Sequence, residues 1–150
     1  MLATLRQEAL FLRFLGGEPT IYKPISELVR YAKQELCYWH TSLITNGVLL
    51  ARHPERYDLL LQNLDAITIS LDQTRLDQYR AEMAQVLAFL PRLAEICSRQ
   101  RITLTCNYTA TWEELEQPHR VDEAVERLGS HFASIYITPC GWPARRLYRC

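Results

Sequence analysis

Two hydrophobic periods alternate along the chain. Short continuous runs of apolar and β-branched residues, typical of buried strands, are separated by segments in which apolar residues recur at helical spacing. The first two runs end at turn residues, Gly16-Gly17 and Asn46-Gly47. The runs predict five strands, over residues 11–15, 37–44, 66–71, 101–108 and 132–138.

The segments between the runs predict helices. Residues 2–10 have the spacing of the tail of a helix, and further helices are expected over residues 25–36, 53–62, 76–97 and 111–128. Pro91 should kink or break the fourth of these, because proline removes a backbone donor and clashes with the preceding turn. Thr111 and Glu114 have the spacing of a capping box that opens the last helix, Pro118 should interrupt it, and Gly129 predicts its end.

The alternation of strand and helix determines the fold class. Strands that alternate with helices pair in parallel through right-handed crossovers, so the chain is predicted to be an α/β protein. A partial βα-barrel and an open doubly wound sheet are both compatible with the pattern. At 150 residues the chain has the size of one domain, and its ligand should lie at the carboxyl ends of the strands.

Composition narrows the possible partners and the compartment. The chain has 17 basic and 17 acidic residues, which gives no general reason to expect nucleic acid or an anionic membrane as partner. No apolar run approaches the roughly 18 residues of a membrane span, and no secretion signal is evident. Five irregularly spaced cysteines fit a reducing cytoplasm better than a disulfide framework, and no CxxC, CxxxC or HExxH motif occurs.

The residues after the first two predicted strands are candidates for ligand binding. Gly16 and Gly17 would let a ligand approach closely, because no Cβ is in the way. Glu18 offers an acceptor to a cationic amine, and the Asn46 amide would lie beside the same ligand. Taken singly, both segments are equally typical of ordinary turns.

The third and fourth strands add polar groups at the same edge. Ser70 and Asp72 point to one side of a strand, where a hydroxyl and a carboxylate could hold a ribose. Their alternative reading is a helix cap and an acid of the first helical turn. Asn107 shares a face with Thr105 in the fourth strand. We expect Glu18, Asn46, Ser70 and Asn107 to converge on one cavity.

The order and spacing of these segments resemble the radical S-adenosylmethionine (radical SAM) superfamily. GGEP followed by TNG and then SLD is specific as a set, and the similar stretches cover most of residues 1–140. The TNG and NYT segments look most like the branch that includes molybdenum-cofactor enzymes and peptide-modifying maturases. The matching stretches are FLRFLGGEPTIYKPISELVRYAK, TSLITNG, LDAITISLD, ITLTCNYTATWEELE and IYITPCG.

The resemblance implies a fold, a reaction and roles for the candidate residues. It implies a TIM-like partial (β/α) barrel and a [4Fe-4S] cluster that chelates S-adenosylmethionine. Reductive cleavage of S-adenosylmethionine then gives a 5′-deoxyadenosyl radical that abstracts hydrogen from a substrate. By resemblance, Gly16, Gly17 and Glu18 meet the methionine amino group. Ser70 and Asp72 lie near the ribose, with Asn46 in the same cavity and Asn107 further across it.

The sequence departs from the family at the cluster loop. The family's CxxxCxxC precedes the helix before the GGE strand, and this sequence begins inside that helix. We therefore expect one truncated core domain over residues 1–150, without the first strand and the cluster loop. The five cysteines lie on different elements and should not replace the three thiolates of the cluster loop. Cys140 and Cys150 could instead begin an auxiliary-cluster region. The five are Cys37, Cys97, Cys106, Cys140 and Cys150.

Three functional interpretations remain open at this stage. The first is a radical SAM enzyme at family level whose 150 residues alone are inactive, bind no cluster and bind S-adenosylmethionine only weakly. The second is a non-catalytic binding or interaction module that keeps the barrel without the cluster. The third is an unrelated nucleotide-binding α/β domain. The sequence names no substrate, and the exposed first strand should favour self-association.

Overall fold

The fold is a parallel β-sheet whose strand order follows the chain. The computed structural model describes residues 2–72 and 80–139, and within these the sheet has five strands in the order β1-β2-β3-β4-β5, each parallel to its neighbours. The predicted α/β class is confirmed, and the arrangement is consistent with a partial barrel. The strands are β1 (Phe11–Phe14), β2 (His40–Thr45), β3 (Ala66–Asp72), β4 (Thr103–Ala110) and β5 (Ser134–Pro139).

Helical segments connect the strands. In the described part of the chain, 3₁₀ turns lie before α2 (Pro19–Ile21) and between α3 and α4 (Pro54–Tyr57), and a π-helical turn (Tyr31–Glu35) follows α2 directly. Among residues 2–72 and 80–139, no helix is both long and apolar enough to cross a bilayer. The α-helices are α1 (Leu2–Leu5), α2 (Ile25–Arg30), α3 (Val48–Arg52), α4 (Asp58–Leu61), α5 (Arg80–Gln100), α6 (Trp112–Leu115) and α7 (Pro118–Gly129).

Local signals place some element ends correctly. Thr111 and Glu114 form the predicted capping box: Glu114 N donates to Thr111 Oγ1 (3.2 Å), and Thr111 N donates to Glu114 Oε2 (2.8 Å). Helix α7 ends at Gly129, as predicted. By contrast, β2 begins at His40 and not at residue 37, because Cys37 has a φ of 54°, which a strand residue does not adopt.

Two helix predictions involve proline: the single helix over residues 53–62 is wrong, and of the kink or break expected at Pro91 the break does not occur. The helix expected over residues 53–62 is split, since Pro54 keeps His53 out of helical geometry and starts a 3₁₀ turn. Helix α5 does not break at Pro91 and runs on to Gln100. Leu90 and Leu93 on either side of Pro91 are both only 1% exposed in the core, and this burial offsets the cost of the missing hydrogen bond.

The two faces of the sheet differ in polarity. One face is apolar and packs against the helices, with Leu43, Ile67 and Leu104 in the core. The other face is largely polar: Ser42, Thr68, Ser70, Thr105 and Asn107 alternate with residues of the opposite, core-facing side along β2, β3 and β4. The core therefore lies between the sheet and the helices.

Asp65 joins the amino ends of three strands. Its carboxylate accepts hydrogen bonds from Lys33 Nζ (2.8 and 2.7 Å) and from Thr41 N (2.7 Å), while its carbonyl oxygen accepts from Thr103 N (2.8 Å). Burial raises the pKa of the Asp65 carboxyl, but the hydrogen bonds from Lys33 and Thr41 lower it by more. The net pKa lies below its ordinary value.

We expect Asp65→Asn to lower the free energy of unfolding at neutral pH by roughly 1–3 kcal/mol, the usual range for hydrogen bonds to a charged group. Because the folded-state pKa is depressed, this stabilisation is present above the unfolded-state value of about 4 and is lost as the pH falls through the lower folded-state pKa. Urea unfolding of both proteins from neutral to acid pH measures the difference. A gap that persists at the acid end would contradict the role of the ionised carboxylate.

Candidate functional site

A cavity of about 810 Å³ lies at the carboxyl ends of β1, β2 and β3. Parallel strands place all their carboxyl ends at one edge of the sheet, so loops that are distant in sequence meet there. The wall of the cavity combines glycines, polar groups and apolar side chains: Gly16, Gly17, Glu18, Ile21, Ile44, Thr45, Asn46, Val48, Leu49, Arg52, Ser70, Glu82 and Met83.

The Glu18 carboxylate joins the end of β1 to the end of β2. Its Oε1 accepts from Thr20 Oγ1 (2.6 Å), Thr20 N (3.1 Å) and Thr45 Oγ1 (2.7 Å). Its Oε2 accepts from Asn46 N (2.8 Å). Glu18 therefore has a defined position in the cavity wall, held by donors on both sides of it.

The turn after β2 is built around Asn46 and Gly47. Asn46 Oδ1 accepts from Val48 N (3.0 Å), and Gly47 N donates to Thr45 Oγ1 (3.1 Å). Gly47 has a φ of 77°, in the left-handed region that glycine tolerates best. Asn46 thus shapes the turn and also lines the cavity, so both of its predicted interpretations apply.

Gly16 and Gly17 face open space. A Cβ added at either position would have no heavy atom within 4 Å, and both residues line the cavity. The missing side chains therefore leave room that a ligand can occupy next to the backbone.

The predicted convergence is confirmed for three of the four residues. Glu18, Asn46 and Ser70 line the cavity, but Asn107 does not. Asn107 pairs in register with Ser70 one strand further along, and its Oδ1 accepts from Thr138 Oγ1 (2.6 Å) on β5. For Asn107 the expectation of a shared cavity is thus wrong. Asp72 ends β3, and its side chain lies outside the described residues.

Comparison with known proteins assigns the family. The family model of the radical SAM superfamily matches residues 3–86, which is more than half of the chain and includes the β1–β3 part of the cavity. The chain belongs to the radical SAM superfamily. The sequence resemblance is therefore confirmed, and the interpretation as an unrelated nucleotide-binding domain is excluded.

Three curated relatives are similar to parts of this radical SAM chain. The GTP 3′,8-cyclase of Chlorobaculum tepidum is 38% identical over 88 residues, 55% of this chain and 26% of the relative. The PqqA peptide cyclase of Granulibacter bethesdensis is 31% identical over 124 residues, 79% of this chain and 32% of the relative. A probable GTP 3′,8-cyclase of Saccharolobus islandicus is 43% identical over 60 residues, which are 40% of this chain and 18% of the relative. The chain spans about a third or less of the length of each.

The described residues do not fit an iron–sulfur cluster of the radical SAM type. Within residues 2–72 and 80–139, no group of three His, Cys, Asp or Glu side chains is placed to hold a metal. Burial raises the pKa of the Cys97 and Cys106 thiols to about 12, which disfavours the thiolate that a cluster requires. Cys37 is exposed near the amino edge of the sheet. Cys140 and Cys150 lie outside the described residues.

Some cavity residues were missed by the sequence analysis. Arg52 at the end of α3 donates to Glu82 Oε1 (3.2 Å) and Gln85 Oε1 (3.2 Å) of α5, which closes one side of the site. The sequence analysis named Thr45 only as part of the TNG turn and assigned no role to its hydroxyl, and it assigned no role to Thr20, which bonds to Glu18 without lining the cavity. The signal available was a hydroxyl two residues after GGE for Thr20 and the threonine of TNG itself for Thr45.

We expect Gly47→Ala to destabilise the fold by about 1–2 kcal/mol, the cost of left-handed backbone for a residue with a Cβ. The new Cβ would also lie 3.2 Å from Val86 Cγ1 and 3.5 Å from Ile69 Cδ1. Thermal unfolding measures the loss. Gly17→Ala is the matched control, because its Cβ has open space, and it should leave the unfolding temperature nearly unchanged. Equal effects of the two substitutions would contradict the role assigned to Gly47.

Proposed function

We propose that this chain forms an S-adenosylmethionine-binding unit of a radical SAM enzyme. The observation that carries the proposal is the Glu18 carboxylate, held at the cavity wall beside two glycines with open space. An anchored carboxylate suits the cationic amino group of the methionine moiety. The cavity volume of about 810 Å³ also falls within the usual range for small-molecule sites.

The same proposal assigns the remaining cavity groups to the ribose and the base of S-adenosylmethionine. Ser70, with Asp72 next on its face of β3, holds the ribose. Asn46 contributes to the same wall, and Asn107 lies further across the sheet. Apolar side chains of the wall, such as Leu49 and Met83, supply the van der Waals contacts that the adenine base requires. The carboxyl edge of the sheet therefore offers one acidic, one hydroxyl-bearing and one apolar region to a single ligand.

The family reaction belongs to the complete enzyme in this proposal. In the superfamily a 4Fe–4S cluster supplies the electron that cleaves S-adenosylmethionine, and the resulting 5′-deoxyadenosyl radical abstracts hydrogen from a substrate. The 150 residues contain no CxxxCxxC motif, and the described thiols do not fit the cluster. We therefore propose that these residues bind S-adenosylmethionine, act in the cytoplasm, and do not by themselves generate the radical.

A second candidate function is a non-catalytic binding or interaction module. The observation that favours it is the completeness of the Glu18 and Asn46 geometry in a chain without a cluster motif. The two candidate functions predict different results when the protein is given an iron–sulfur cluster. Only the first predicts radical chemistry once the missing thiolates are present in the same molecule.

We expect calorimetry to detect S-adenosylmethionine binding that is micromolar or weaker, since each remaining hydrogen bond contributes on the order of 1 kcal/mol net. Glu18→Gln should weaken it roughly tenfold, in line with the loss of a charge-assisted hydrogen bond. The exposed Glu123→Gln on α7 is the matched control and should have no effect. After anaerobic incubation with iron, sulfide and a reductant, the chain should release no 5′-deoxyadenosine.

Two results would count against this function. Absence of any binding in the unsubstituted protein would remove the S-adenosylmethionine site. Submicromolar affinity would show that the remaining contacts suffice for tight binding, and 5′-deoxyadenosine released by the chain alone would show that the 150 residues need no further thiolates.

We also propose that the chain self-associates through β1. This strand lies at the edge of the described sheet, where its outer backbone groups can pair with another chain. Phe11 at its start is 62% exposed and contacts the exposed Trp39 ring, with the ring centroids 5.8 Å apart. An edge strand beside an exposed aromatic pair is a typical site of association between copies.

We expect the mean mass measured by light scattering to rise with concentration, and Phe11→Glu to reduce that rise by introducing charge repulsion at the edge. Tyr136→Glu is the matched control, because Tyr136 is 61% exposed on β5 at the opposite edge. A protein that stays monomeric at high concentration, or equal effects of the two substitutions, would exclude association through β1.

A further inference from the structure

The hydrogen bonds to Glu18 are unevenly divided between its two oxygens. Oε1 accepts from three donors, at 2.6, 2.7 and 3.1 Å, whereas Oε2 accepts only from Asn46 N, at 2.8 Å. A carboxylate oxygen offers about two lone-pair positions. Among the described residues, Oε1 is therefore fully occupied and Oε2 keeps one position free.

Two buried threonines produce this asymmetry. Thr20 is 4% exposed and Thr45 is 2% exposed, so water cannot easily replace either hydroxyl. Thr45 Oγ1 also accepts from Gly47 N, which leaves its single proton to be donated to Glu18. The two hydroxyls approach Oε1 from different elements, a 3₁₀ turn and the end of β2.

Both threonines are themselves held in place. The Thr20 carbonyl oxygen accepts from the hydroxyl of Tyr57 (3.2 Å), which is buried beneath the turn. Thr45 is a strand residue paired in register with Ile69 of β3. The carboxylate is consequently oriented by groups that are anchored to the core rather than by the mobile side chains of a surface.

We propose that Thr20 and Thr45 are positioning residues that occupy Glu18 Oε1 and leave Oε2 as the acceptor for the amino group of the ligand. This rests on the proposed S-adenosylmethionine site and extends it, since it makes the pair of hydroxyls responsible for selecting a ligand that carries a primary amine. The two hydroxyls should not increase the affinity for a ligand that has the same adenosine part but no amine.

The test compares two ligands in calorimetry of the whole chain. S-adenosylmethionine carries the amine, whereas 5′-methylthioadenosine keeps the adenosine and a neutral thioether sulfur but lacks the amine and the carboxylate of the methionine part. Thr45→Val and Thr20→Val should each weaken S-adenosylmethionine about five- to tenfold, as expected for a disturbed charge-assisted hydrogen bond. Affinity for 5′-methylthioadenosine should stay the same. Thr45→Ser and Thr20→Ser keep the hydroxyl and should restore the preference.

Thr41→Val is the matched control. Thr41 lies on the same strand as Thr45, is fully buried, and donates to the Asn63 carbonyl oxygen (2.7 Å) at the opposite edge of the sheet. Its substitution removes a comparable buried hydrogen bond without touching Glu18. It should lower stability and leave the ratio of the two affinities unchanged.

Three results would overturn the proposal: equal weakening of both ligands by Thr45→Val, failure of the serine variants to restore the preference, or the same change of ratio in Thr41→Val. A second readout separates this proposal from the proposed function. If the unsubstituted chain binds neither ligand, the function fails, but Thr20→Val should still shift the NMR signal of the Asn46 amide, which reports on Oε2. An unshifted signal would overturn the positioning role in either case.

Discussion

The site depends on one carboxylate at the carboxyl edge of a parallel sheet. Glu18 accepts hydrogen bonds from residues at the ends of two neighbouring strands, so its side chain closes the gap between the β1 and β2 loops. Parallel pairing makes this possible, because it brings all strand ends to one edge. The turn at Gly47, the hydroxyl of Thr45 and the backbone of Asn46 are all arranged around that carboxylate. Glu18 and Asn46 of this arrangement line the cavity.

The groups that stabilise the sheet and the groups available to a ligand lie at opposite ends of the strands. At the amino edge, Asp65 joins β2, β3 and β4 through Lys33, Thr41 and Thr103. At the carboxyl edge, glycines and hydroxyls leave space and hydrogen-bonding capacity for a ligand. Because the apolar core lies between the sheet and the helices, polar groups at the carboxyl edge can serve binding without weakening the packing.

The chain belongs to the radical SAM superfamily, although residues 2–72 and 80–139 hold no group of side chains placed to bind a metal. The family match covers residues 3–86, which contain the GGE, TNG and SLD segments. The described cysteines instead serve the core or the surface: Cys97 and Cys106 are buried with raised pKa values, and Cys37 is exposed. The matches cover 26% and 32% of two of these relatives, so most of each relative lies outside the aligned region.

The sequence by itself determined the class of fold, the parallel pairing of the strands, the capping box at Thr111 and the placement of Glu18, Asn46 and Ser70 at one edge. These features follow from local periodicity and turn chemistry, which are readable over a few residues. The tertiary structure alone showed that α5 continues through Pro91, that Asn107 faces Thr138 outside the cavity, and that Thr45 donates to a carboxylate 27 residues away. Such contacts depend on packing between elements that are distant in sequence, and a local pattern carries no information about that packing.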